Sequence, residues 1–193
     1  MKSICVYCGS AAGVSPAYAA AARELAATLV AQDLHLIYGG GNVGLMGIVA
    51  DEVMRLGGRV TGVIPQALMD KEVGHTGLTQ LHVVNNMHER KALMAQLSDA
   101  FIALPGGIGT LEELFEVFTW AQLGFHNKPL GLLNVAGFYD GLLTFLSHAQ
   151  TQGFLLSTHL DLLFAETEAA ALLEKFSTYQ APTRHKWVTQ RDL

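Results

Sequence analysis

Pro105-Gly106-Gly107-Ile108-Gly109-Thr110-Leu111-Glu112-Glu113 places three glycines in four positions between an apolar run and a helical stretch. Glycines let a backbone approach an anion. A helix starting behind them offers unpaired N–H groups and its positive dipole end to a phosphate. Thr110 followed three residues later by Glu113 also reads as a capping box, which needs no glycines before it. Both readings can hold together. A second turn, Gly39-Gly40-Gly41-Asn42-Val43-Gly44, fits G-x-G-x-x-G between a strand and a helix. A dinucleotide site would add an acid at the end of the next strand, and Thr61–Gln66 contains none, which disfavours NAD. The alternative for this turn is tight packing of helix on sheet.

Met87, Arg90, Met94 and Leu97 fall on one face of a helix, so Arg90 sits in an apolar stripe. Burying an unpaired charge costs about several kcal/mol. Arg90 and Lys91 also lie in the first turn, where the helix dipole disfavours cations. A bound anion or a carboxylate meeting them explains both features; snorkelling of Arg90 to solvent is the alternative. Glu72, taken alone, reads as a solvated surface acid. The eight histidines show no metal-ligand spacing, and neither a G-x-S-x-G elbow nor a P-loop is present. Cys5 and Cys8 form a Cys-x-x-Cys spacing, but on a strand they point to opposite faces. They read as two buried thiols rather than a redox or metal pair.

Apolar runs of strand length alternate with helical stretches along the chain. Strands are expected at 3–7, 34–38, 59–64, 81–85, 100–104, 130–133 and 162–164. Helices are expected at 16–30, 44–56, 87–97, from the second glycine turn to 123, at 139–150 and at 168–176. Residues 66–80 read as irregular. Strands such as Phe101-Ile102-Ala103-Leu104 are apolar on both faces, the mark of a parallel sheet covered on both sides. The expected fold is α/β: a single doubly wound, Rossmann-like parallel sheet of about seven strands with helices on both faces. One domain is expected over 1–180, with a polar tail at 181–193. Ligands of such sheets bind beyond the carboxyl ends of the strands, where both glycine turns lie.

Of the 193 residues, 50% are apolar and 15% charged, with a formal net charge of −5, which excludes a disordered chain. An acidic balance argues against nucleic acid as a partner. No apolar run reaches the roughly 18 residues of a membrane helix. The start, Met1-Lys2-Ser3-Ile4-Cys5-Val6, lacks signal-peptide features, so a cytoplasmic location is expected.

The motifs carry a resemblance. Tyr38-Gly39-Gly40-Gly41 with Gly44-Leu45-Met46-Gly47, Met87-His88-Glu89-Arg90-Lys91, and Pro105 to Glu113 resemble the Lonely Guy family of cytokinin riboside 5'-monophosphate phosphoribohydrolases. The resemblance spans about residues 1 to 175 and includes Cys8-Gly9-Ser10 and Phe118-Thr119-Trp120. It implies hydrolysis of the N-glycosidic bond of AMP or N6-substituted AMP to free base and ribose 5-phosphate, with no metal or organic cofactor. By motif, Arg90 and Glu113 match the family's catalytic pair. The implied nucleotide contacts are Glu72, Lys91, Gly106, Gly107, Ile108, Gly109, Thr110, Leu111, Glu112 and Thr119, with Ser10, Gly40 and Gly41. Family members have carried the label lysine decarboxylase, but no lysine here sits in a recognisable pyridoxal phosphate context. A general AMP nucleosidase and a nucleotide-binding module without catalysis are the alternatives.

The helix after the second glycine turn is apolar almost all round: Leu111, Leu114, Phe115, Val117, Phe118, Trp120, Ala121 and Leu123 leave a narrow polar strip. Such a helix must be buried on nearly every side. A homodimer or a higher assembly of dimers is therefore expected, with Phe118 at the contact. Cover by other helices of the same chain is the alternative.

Overall fold

The structure, a computed structural model, describes residues 1–71 and 74–181. Glu72 and the expected tail from residue 182 onward lie outside the described residues. Seven strands, β1 (Ser3–Tyr7), β2 (His35–Tyr38), β3 (Val60–Pro65), β4 (Gln80–Val84), β5 (Ala100–Ala103), β6 (Leu130–Leu133) and β7 (Leu163–Glu166), form one sheet. Their order is β4-β3-β2-β1-β5-β6-β7, and every pairing is parallel. The helices are α1 (Pro16–Ala31), α2 (Gly44–Arg55), α3 (Gln66–Met69), α4 (Met87–Leu97), α5 (Ile108–Leu123), α6 (Asp140–Thr151), α7 (Ser157–Leu160) and α8 (Ala169–Thr178). The doubly wound, Rossmann-like expectation holds. The one-turn helices α3 and α7 fall in stretches read as loop, because four residues are too few to show a helical period.

Alternation along β1 builds two cores. Ile4, Val6 and Cys8 pack with α1, α2 and α8, whereas Cys5 and Tyr7 pack with α4, α5 and α6. The two thiols thus point to opposite layers, and both are free. Burial pushes the Cys5 thiol up to about 12 and Cys8 further still, so neither is a thiolate at neutral pH.

Strand order reverses between β1 and β5, so the loops leaving them part and open a crevice at their carboxyl ends. The Gly9 N–H donates to the Pro105 carbonyl (3.1 Å), tying the two loops at the floor of that crevice. Local signals set the helix starts around it. Ser15 caps α1 by accepting from Ala17 N–H (3.3 Å), and Pro16 occupies its first turn. Asn86 caps α4 by accepting from Glu89 N–H (2.9 Å), and the Glu89 carboxylate in that first turn offsets the cations behind it. Among the described residues no helix is long and apolar enough to cross a membrane.

Gly44 opens α2 at φ +58°, and a Cβ there would stand 2.3 Å from the Ser10 carbonyl carbon. Gly44→Ala is expected to lower the unfolding free energy by at least about 2 kcal/mol in urea denaturation. Gly141→Ala meets nothing within 4 Å. It is expected to stabilise by up to about 1 kcal/mol.

Candidate active site

The crevice holds a cavity of about 460 Å³. Its walls come from the ends of β1, β2 and β3 and the first turns of α4 and α5. The first turn of α5 forms one edge. That helix begins at Ile108 with Gly107 as N-cap and no side-chain cap. The expected capping box is therefore not formed: Thr110 is the third residue of the helix, which starts on Gly107 as its N-cap. The N–H groups that open α5 stand at the wall formed by Gly107, Ile108, Gly109 and Thr110.

The first glycine turn is built differently. The N–H groups of Leu45 and Met46, which open α2, both donate to the Gly9 carbonyl (3.0 and 3.4 Å). The donors a phosphate would use are thus taken by the β1 loop, and this turn packs helix on sheet. His75 N–H donates to the Gly40 carbonyl (2.8 Å), and Gly74 bridges Gly41, so the excursion after β3 folds back over the turn.

Arg90 is buried. Its Nε donates to the Val63 carbonyl (3.2 Å) and its Nη2 to the Gly39 carbonyl (3.1 Å). Nη2 also lies 3.7 Å from Glu113 Oε1 as an ion pair. A Cβ on Gly39 would sit 1.9 Å from Nη2, so only glycine admits the guanidinium. The charge in the apolar stripe is answered by a carboxylate of the same chain. Glu113 is 9% exposed, and burial raises its pKa, with Arg90 pulling the other way.

Ser10, Gly41, Arg90, Gly107, Ile108, Gly109, Thr110, Glu112 and Glu113 line the cavity. Gly106 lines a smaller neighbouring cavity of about 230 Å³ that shares Ser10 and Gly107. Gly40 lies beneath the wall, and Leu111 packs toward the core. Thr119 is exposed and donates to the Phe115 carbonyl (2.7 Å), away from the cavity. Lys91 does not reach it either: its ammonium is held by Glu112 and, at 3.1 Å, by Glu116. Burial would lower the Lys91 pKa, but the hydrogen bonds it donates to those two carboxylates raise it. Ile64, Leu68 and Met87 form an apolar part of the wall that sequence reasoning missed. Ile64 sits at a strand's carboxyl end, a usable signal; Met87 was absorbed into the helix stripe.

A family profile described as possible lysine decarboxylase matches residues 46–176. A cytokinin riboside 5'-monophosphate phosphoribohydrolase of Arabidopsis thaliana is 50% identical over 179 residues, 93% of this chain and 78% of that protein. One from Oryza sativa subsp. japonica is 51% identical over 178 residues, 92% of this chain and 74% of that protein. The chain belongs to the Lonely Guy family. Among solved structures, the molybdenum cofactor carrier protein of Chlamydomonas reinhardtii superposes with a TM-score of 0.70 at 19% identity, covering 92% of this chain and 99% of that one. The molybdenum cofactor binding protein of Rippkaea orientalis gives 0.68 at 20%, covering 92% and 97%. These two show the fold alone. Among the described residues no lysine lines the cavity of this Lonely Guy protein.

Lysine cannot span two carbonyls and a carboxylate as a guanidinium does. Arg90→Lys is expected to lower stability by about 2 kcal/mol in urea denaturation. Because the Arg90 guanidinium is held by two carbonyls and Glu113, the same variant is expected to weaken AMP and adenosine binding by equal factors in calorimetric titration.

Proposed function

We propose that this protein hydrolyses the N-glycosidic bond of N6-substituted adenosine 5'-monophosphates, releasing the free base and ribose 5-phosphate. The observation that carries this reading is the buried Glu113 carboxylate, held by Arg90, in the same wall as the open N-terminus of α5. Relatives at about half identity, named as cytokinin riboside 5'-monophosphate phosphoribohydrolases, support it. Residues 1–180 are its single catalytic domain.

The first turn of α5 takes the 5'-phosphate on its N–H groups. Binding energy from that remote group holds C1' against Glu113. The N-glycosidic bond breaks through an oxocarbenium-like state, as in glycoside hydrolysis. The Glu113 carboxylate stabilises the positive charge and accepts a proton from the attacking water. The water oxygen bonds to C1', the bonding pair leaves with the purine, and the purine takes up a proton. Arg90 keeps Glu113 ionised and aimed. Water and side chains complete the reaction without metal or organic cofactor. The apolar wall of Ile64, Leu68 and Met87 favours an apolar N6 substituent over plain AMP.

A homodimer, or an assembly of dimers, is part of this reading. Phe118 is 2% exposed and belongs to its own chain's core, so it cannot mark a contact. Apolar surface remains beside α5 and α6, at Phe125, Phe145, Phe154 and Leu156. Thr119, exposed on α5, is then available to the partner's site. The cytoplasm suits a chain with two free, buried thiols.

Incubation with N6-isopentenyl-AMP and AMP, following free base and ribose 5-phosphate, tests the activity; release from neither supports a binding module instead. Glu113→Gln is expected to reduce turnover at least about a hundredfold while leaving the far-ultraviolet circular dichroism unchanged. Wild-type turnover in that variant would leave the acid only structural. Sedimentation equilibrium is expected to give a multiple of 20.8 kDa, with Phe125→Glu moving it toward one chain; a single-chain mass for the wild type would remove the dimer.

A further inference from the structure

We propose that Lys91 is a positioning residue for Glu113: by bridging Glu112 and Glu116 it locks the first two turns of α5 against α4 and balances the charge around the acid. The inference rests on the proposed role of Glu113. Lys91 is 7% exposed, and its ammonium turns toward α5 rather than toward the cavity. Glu112 and Glu116 are one helical turn apart, a like-charged pair that repels unless a cation stands between them. Lys91 supplies that cation from the neighbouring helix, directly after Arg90. Two consecutive residues of α4 thus grip three carboxylates of α5: Arg90 takes Glu113, and Lys91 takes the pair that flanks it.

Among the described residues, the charged groups that act on Glu113 come from two helices. Arg90 and Lys91 come from α4, and Glu112 and Glu116 from α5 itself. From β1 come Cys5 and Tyr7, and from the loop behind it Cys8, whose raised pKa values keep them neutral. Removing Lys91 leaves Glu112 and Glu116 uncompensated. Nearby negative charge disfavours a second carboxylate, so Glu113 then ionises only at higher pH. The catalytic form is the ionised one, and it is lost as pH falls through the Glu113 pKa. The acid limb of kcat/KM therefore moves up when Lys91 is lost and down when Glu116 is neutralised.

The test is the pH profile of kcat/KM on N6-isopentenyl-AMP for wild type, Lys91→Met, Glu116→Gln and the double variant. Lys91→Met is expected to raise the acid limb by roughly half to one pH unit, and Glu116→Gln to lower it by a similar amount. The double variant is expected to return close to wild type. A purely structural lysine would lower kcat/KM equally at every pH, and an unmoved limb in Lys91→Met overturns the proposal. If Lys91→Met does not fold, Glu116→Gln and Lys91→Arg decide: the first must still lower the limb, the second must leave it in place, and failure of either overturns the proposal. If the wild type releases no base, the functional reading fails on its own. The Glu113 carboxyl titration, followed by carbon NMR in the same variants, then has to show the same shifts, and their absence overturns the role of Lys91 separately.

Discussion

A guanidinium taken out of water must be answered on every side, and Arg90 makes that demand at the centre of the molecule. Its desolvation, of order several kcal/mol, is offset only when carbonyls and a carboxylate converge on it. Those partners come from three places far apart in sequence: the end of β2, the end of β3 and the second turn of α5. Parallel order β3-β2-β1-β5 brings all three to one edge of the sheet. Gly39 is a glycine because a side chain there would occupy the space of Nη2. The converse holds for Glu113. Burial that raises its pKa also makes it a stronger base than a surface carboxylate, while Arg90 limits that rise. One buried pair therefore fixes both the geometry of the crevice and the proton affinity of its acid.

The two glycine turns look alike in sequence and do different work. What separates them is where the first N–H groups of the following helix point. Behind Gly39–Gly44 those donors meet the Gly9 carbonyl, so the turn is a joint between β1, β2 and α2. Behind Pro105–Gly109 the helix opens on Gly107 at the cavity wall. A phosphate needs unsatisfied donors, and the N–H groups at the start of α5 stand at the cavity wall while those of Leu45 and Met46 are taken.

The fold was legible because its signals are redundant: buried strands apolar on both faces, regular β-α alternation, Ser15-Pro16 at a helix start. Arg90 was legible as an anomaly, since a cation in an apolar stripe demands a partner, and Glu113 proved to be that partner. Two things were not legible. The capping reading of Thr110 failed because a helix can begin on glycines with no side-chain cap, and local residue type does not reveal that. The partner of Lys91 stayed open between a bound anion and a carboxylate for a different reason. A cation beside a phosphate turn reads as a ligand for the phosphate, and only the packing of α4 on α5 shows two carboxylates closer to hand. Phe118 misled similarly, because its burial in the core of its own chain is a tertiary fact with no trace in the period of one helix.

Proteins with this fold at about a fifth identity are named for carrying or binding a cofactor, so the architecture alone does not make an enzyme. A crevice with an open helix end binds an anion whether or not anything is then cleaved. Catalysis adds one requirement that binding lacks: a charge held where the transition state becomes positive and the ground state is not. Holding such a charge is unfavourable for the empty protein, since a buried carboxylate would rather be protonated or solvated. A binding module has no use for that penalty. The presence of Glu113, buried, raised in pKa and restrained by Arg90 instead of being released to solvent, is the feature that a phosphate cradle by itself does not account for.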